Sequence, residues 1–137
     1  MRGETTKQST KSNEIATHSA NTSNNGLILA MTHNEKELYE LKPDKMPIAI
    51  YEKMDAFTTH EIQIQKGDQL YMFSDGFADQ FGGPKGKKLK YKPFKRLLLE
   101  NADKSMLEQK KLLYQAFESW KGTTEQIDDV VVLGVKI

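Results

Sequence analysis

The sequence predicts an α/β domain in which antiparallel strands come first, helices follow and a final strand closes the fold. Three observations carry that prediction. Apolar runs bounded by turn residues recur between Gly26 and Phe73, a capped helical pattern fills the stretch from Pro93 to Gly122, and Val130 to Ile137 is almost entirely apolar and β-branched.

Each element has its own justification. Residues 1–25 are rich in Thr, Ser, Asn and Lys, with no aromatic and only Ile15 as a large aliphatic, so the stretch is expected to be a mobile polar arm ahead of a domain spanning 26–137. Leu27 to Met31 and Glu37 to Leu41 flank the polar turn Thr32–Lys36, the pattern of a hairpin. Pro43 and Pro47 interrupt regular structure. Phe57 to Ile64 then ends in apolar/polar alternation, and the turn Lys66-Gly67-Asp68 leads into Gln69–Phe73 as a second hairpin. Two hairpins in succession favour an antiparallel sheet.

Pro93 suits the first turn of a helix running through Leu99, and Ser105-Met106-Leu107-Glu108 is a capping box opening a longer one. In that longer helix Met106, Leu113, Phe117 and Trp120 fall near one face, which marks them as core rather than a cofactor box. Gly122 ends it. The apolar closing run from Val130 predicts a strand buried on both faces or central in its sheet.

Composition excludes several functions. The 137 residues suit one ordinary domain at most, and 28% charged with 37% apolar content is that of a soluble globular chain. No apolar stretch is long enough to span a membrane, and the N-terminus lacks the hydrophobic region of a secretory signal, so a cytoplasmic location is expected. With no cysteine there is no disulfide, thiolate metal site or cysteine nucleophile. A net charge of +1 gives no global attraction to nucleic acid or membrane.

The chemistry lies in carboxylates at the edges of apolar runs. Asp75 follows Leu70–Phe73 and precedes Gly76, whose missing side chain lets the backbone turn sharply and leaves room for a cation or phosphate. Asp128 sits at the mouth of the final strand. A carboxylate so placed is costly unless a cation or hydrogen-bond donors compensate it, and Mg²⁺ and Mn²⁺ prefer such oxygen ligands. The alternative is that Asp75 and Asp79 only form turns and that Asp128 or Asp129 caps a loop, since aspartate is a common turn residue.

The segment Leu70-Tyr71-Met72-Phe73-Ser74-Asp75-Gly76-Phe77-Ala78-Asp79-Gln80-Phe81-Gly82-Gly83, with Trp120-Lys121-Gly122 and Gln126-Ile127-Asp128-Asp129, resembles the C-terminal half of the SpoIIE-like branch of the metal-dependent (PPM-type) protein serine/threonine phosphatases. The likeness extends back through Leu41 to Ile48 and Thr59 to Ile62, and so covers about residues 24–137. It implies two stacked antiparallel sheets flanked by helices, two Mn²⁺ or Mg²⁺ ions bridged by water, and a phosphorylated protein as substrate. On the matching positions it implies Asp75 and Asp128 as metal ligands, Asp129 as a hydrogen-bonding support behind them, and Gly76 as the position that allows the metals close approach. No catalytic group beyond the metal ligands is implied.

The departures are informative too. The family's first half carries a Gly-Asp pair and an Asp-Gly-His-Gly-type motif that supply the other metal carboxylates, and neither is in this sequence. Half a site is therefore expected, in a fragment or a truncated gene product. The rival function is a catalytically inactive binding or regulatory half-domain that docks a protein partner, with self-association through an uncovered sheet.

Other candidates are weaker. Lys85, Lys87, Lys88, Lys90, Lys92, Lys95 and Arg96 form a basic run with no acidic residue among them. A phosphate-facing or nucleic-acid role weighs less than a solvated loop face, because only Tyr91 and Phe94 are interleaved and Phe94 should enter the core. His18, His33 and His60 have no ligand spacing, and Gly82-Gly83-Pro84-Lys85-Gly86 lacks the Ser or Thr of a nucleotide loop.

Overall fold

A computed structural model of the chain describes residues 13–18, 27–31, 37–41, 56 and 58–137. Four strands, β2 (Leu27–Met31), β3 (Leu38–Leu41), β5 (Gln69–Phe73) and β8 (Val132–Lys136), form an antiparallel sheet in the order β3-β2-β5-β8. A separate antiparallel pair joins β1 (Asn13–His18) to β4 (Thr59–Ile64), and the two-residue strands β6 (Phe81–Gly82) and β7 (Lys87–Lys88) make a small hairpin. Among the described residues there are three helices: α1 (Gly76–Asp79), α2 (Tyr91–Glu100) and α3 (Met106–Lys121). This is the mixed α/β architecture with antiparallel sheets that the sequence predicts.

The first predicted hairpin forms, with β2 against β3. The second does not. β4 pairs with β1, whereas β5 lies between β2 and β8. The Lys66–Asp68 turn is real, since Gln65 N donates to Asp68 Oδ2 at 2.7 Å and Gly67 takes φ 101°. Its backbone, however, bonds to the chain's last residue: Gly67 N donates to Ile137 O and Ile137 N to Asp68 O, both at 2.9 Å. The turn thereby carries the chain from one sheet to the other instead of folding β5 back on β4. The stretch Asn13–His18, inside the segment whose composition predicts a mobile arm, is a strand because its backbone completes the β4 ladder.

The final strand also departs from expectation. β8 occupies the edge of its sheet rather than the centre. Opposed pairs Phe73–Val132 and Tyr71–Gly134 face the helices, while Met72–Leu133 and Leu70–Val135 face away. Met72, Leu133 and Val135 on that outer face remain 43%, 49% and 43% exposed, and Tyr39, in the same row through Ala30, is exposed as well. The apolar run thus reflects one buried face and one uncovered apolar face.

The core is aromatic. Phe73, Phe77, Phe94 and Phe117 chain together with ring centroids 4.6–5.3 Å apart, and Leu98, Ala102 and Tyr71 close round them. Tyr71 brings a hydroxyl into this core, where Gln69 and Gln109 satisfy it at 2.5 and 2.6 Å, and Gln69 Nε2 donates onward to Ala102 O. Burial pushes the Tyr71 phenol up to about 12 against the opposing pull of the Gln109 bond, so it stays neutral. Gln109 was missed by the stripe analysis because a buried amide breaks the apolar pattern it serves.

α3 begins with the predicted capping box: Glu108 N donates to Ser105 Oγ, and Ser105 N donates to Glu108 Oε2 at 3.0 Å. It ends at Gly122, φ 55°. The Ser105 hydroxyl and backbone hold the Glu108 carboxyl below its ordinary value of 4.5. A depressed carboxyl contributes stability that is present above 4.5 and is lost as pH falls through the folded-state value. Ser105→Ala is expected to lower unfolding free energy by about 1 kcal/mol at neutral pH. In urea melts the gap between variant and parent should narrow well below pH 4.5, and a gap that widens there would contradict the capping assignment.

Candidate metal centre

Asp75 and Asp128 lie at the same end of one ladder because two strand ends are clamped together. Phe73 pairs with Val132, so the residues after β5 and before β8 lie at one end of the ladder. There Ser74 N donates to Val131 O at 3.0 Å, Ser74 Oγ donates to Asp129 O at 3.0 Å, and Val131 N donates to Ser74 Oγ at 3.1 Å. Gly76 then runs so close to the other chain that a Cβ at this position would lie 2.3 Å from Asp129 O and 3.2 Å from Val130 Cγ2. Glycine is required here for close approach.

On this clamp Asp75 stands at the head of α1 and is half-buried. Its side chain makes no capping hydrogen bond to the helix, while Asp79 N closes the turn on Asp75 O at 2.9 Å. Its carboxyl is raised above 3.8, first by burial and then by the negative charges of Asp128 and Asp79, while Lys88 opposes the shift. The charge of Asp128 is therefore felt at Asp75. Asp128 itself is exposed and accepts from Asp129 N through Oδ1 at 2.8 Å. Asp129 supports the arrangement through its backbone, with its carbonyl on Ser74 and its N–H on Asp128.

A second layer fixes the loop that carries Asp128. Gln80, fully buried, donates through Nε2 to Glu125 O and Phe81 O at 2.9 Å. Its carbonyl accepts from Trp120 Nε1 and from Leu89 N, each at 3.0 Å. Gln126 Nε2 donates to Asp128 O at 2.9 Å. Ser74, Gln80 and Trp120 thus set the geometry. The only sequence signal for them was their place within the motif-bearing segments, since hydrogen bonds across 40 or more positions leave no local pattern.

An oxygen-only donor pair, crowded by like charge, suits a hard divalent cation. Tyr91 adds to the fit: its buried hydroxyl has no hydrogen-bond partner among the described residues, and Asp75, Asp79 and Glu40 all push the phenol up, after burial. Among the described residues, no group of three or more His, Asp or Glu side chains is placed to hold an ion.

The family described as Stage II sporulation protein E (SpoIIE) matches this chain over residues 14–137, and the chain belongs to that family. Among solved structures it is similar to the SiaA-PP2C domain of Pseudomonas aeruginosa, with TM-score 0.74 and 24% identity over 90% of this chain and 46% of that one. It is also similar to the PP2C phosphatase domain, solved with a fragment of the regulatory domain, of the cell fate determinant SpoIIE from Bacillus subtilis, with TM-score 0.62 and 21% identity over 90% of this chain and 34% of that one. The chain therefore spans less than half the length of either solved relative, and at these identities the likeness shows the fold. No curated protein matches.

Two substitutions probe the clamp. Gly76→Ala should lower stability by about 1–3 kcal/mol, because backbone must move to admit the methyl group. Asp75 contributes with the opposite sign. A carboxyl raised on folding destabilises the folded state as pH rises through its titration, so Asp75→Asn should raise the melting temperature at neutral pH without divalent metal. Calorimetric melts check both, and a lowered melting temperature for Asp75→Asn would show that this carboxylate is structural.

Proposed function

We infer that this chain carries the C-terminal part of the active site of a cytoplasmic, metal-dependent protein serine/threonine phosphatase. The observation that supports the inference is the close Gly76–Asp129 approach, which sets Asp75 within the electrostatic influence of Asp128, in a chain of the SpoIIE family. Asp75 and Asp128 would hold Mn²⁺ or Mg²⁺, Asp129 would fix Asp128 through its N–H, and Gly76 would keep the two strand ends close enough for both carboxylates to reach. The metal, when bound, orients the phosphoryl group of a phosphorylated protein and lowers the pKa of the attacking water. The chain's own residues hold the carboxylates in place and exclude water behind them through Phe73, Phe77 and Phe94.

Two carboxylates alone position no second ion, so full activity is expected only with further ligands. With Mn²⁺ the 137 residues should show no turnover of a phosphothreonine peptide above background. Supplying a SpoIIE-family first half that bears the Gly-Asp and Asp-Gly-His-Gly motifs should produce turnover, and Asp75→Ala in that assembly should abolish it. Turnover indifferent to Asp75→Ala would overturn the assignment.

The rival function, a half-domain that only docks a protein partner, has its own support in the uncovered face formed by Tyr39, Leu70, Met72, Leu133 and Val135. That face and the β8 edge favour self-association. Light scattering should show species larger than one chain, and Met72→Glu with Leu133→Lys should shift them to monomer. A parent chain that is already a sharp monomer would remove the support.

A further inference from the structure

The hairpin after α1 is a rigid basic platform beside the carboxylate pair. Its base is bolted to the end of α3: Gly83 N donates to Trp120 O at 2.8 Å, and a Cβ at Gly82 would lie 1.9 Å from that same oxygen. Gly83 packs on the Trp120 ring, where a Cβ would come within 2.7 Å. On the return strand, Leu89 N bonds to Gln80 O and Lys90 N to Ala78 O at 2.7 Å. Lys90 takes φ 70°, a sparsely populated backbone state for a residue with a side chain, held there by that bond. The segment is a built element and not a loose solvated loop.

Its lysines are unevenly used. Lys88 lies over the Phe81 ring at 5.7 Å and is paired with Asp79 at 3.1 Å, from where its charge also reaches Asp75. Lys85, Lys87, Lys90 and Lys92 are exposed and make no ion pair among the described residues. Four cations carried on the hairpin and the start of α2 make a local positive patch that an anion laid across them would relieve. The neighbouring carboxylates of Asp75, Asp79 and Asp128 would in turn repel any anionic substrate that lacked such a counterweight.

We propose that this hairpin, with the start of α2 that follows it, is the substrate-docking surface of the site, with Lys85 and Lys87 on the hairpin, Lys90 at the α2 N-cap and Lys92 in its first turn holding acidic residues that flank the phosphorylated residue of a protein substrate. The proposal deepens, and rests on, the assignment of phosphoprotein hydrolysis to the Asp75–Asp128 site. A nucleic acid fits less well. Phe94 is fully buried and Tyr91 has its hydroxyl buried, which leaves the exposed Phe81, with Lys88 over its ring, as a lone aromatic face rather than a row for base stacking.

The test is fluorescence anisotropy with the 137-residue chain and two labelled phosphothreonine peptides, one flanked by glutamates and one by alanines, at low and at physiological salt. The glutamate-flanked peptide should bind about 5- to 10-fold tighter at low salt, with the advantage shrinking as salt rises. Lys85→Glu with Lys87→Glu, exposed positions in the hairpin turn and at the start of β7, should erase the advantage while leaving the melting temperature unchanged. Equal binding of the two peptides, binding of neither, or a preference that survives the double variant would each overturn the docking surface. So would loss, in the variant, of tighter binding to a duplex DNA or to phosphatidylserine vesicles than to either peptide. Binding and turnover separate the two claims: hydrolysis by the completed domain without an acidic preference sinks the docking surface alone. An acidic preference without hydrolysis sinks the phosphatase assignment and leaves the docking surface standing.

Discussion

The contact between Gly76 and the Asp129 carbonyl is the constraint on which the rest depends. Ser74 bonds to both sides of Asp129 and Val131, and the absent Cβ lets the head of α1 settle directly on the strand that enters β8. That approach forces the two carboxylates into one field, where Asp128 and burial both raise the Asp75 carboxyl. Charge crowding of this kind opposes folding, and a structure keeps it only when surrounding packing over-determines it. Here the aromatic chain Phe73–Phe94–Phe77–Phe117 lies behind the clamp and supplies that packing.

Around the clamp, one layer of hydrogen bonds ties distant segments to the same place. Gln80 reaches Glu125, Trp120 reaches back to Gln80, and the hairpin base locks onto the Trp120 carbonyl. The loop bearing Asp128 and the hairpin bearing the free lysines therefore share one support. A phosphorylated acidic segment laid along that edge would meet lysines on one side and the carboxylate pair on the other, an arrangement that separates recognition from chemistry while keeping them rigidly related.

Local signals in the sequence were legible and long-range pairing was not. The capping box at Ser105, the stop at Gly122, the turn at Asp68 and the β2–β3 hairpin are decided by residues within a few positions of one another, and all appear where the pattern puts them. The second hairpin failed because the turn at Gly67 bonds to Ile137, a partner invisible to any local window. Val130 to Ile137 suggested a central strand because its apolar content is high on both faces, yet one of those faces is uncovered in β8. Of the candidate site, Asp75, Gly76, Asp128 and Asp129 were marked by motif, and they lie at the β5 and β8 strand ends; Ser74, Gln80 and Trp120, which tie those ends and the neighbouring loop in place, are residue types with no chemical signature of their own.

The central claim is that Asp75 and Asp128 share one divalent cation. Crystals of the chain soaked in MnCl₂ and measured at the manganese edge test it most directly. The account predicts an anomalous peak with carboxylate oxygens of both Asp75 and Asp128 at about 2.1–2.2 Å, the remaining positions filled by water. A peak bound to only one of the two, or none between them at saturating manganese, would contradict it.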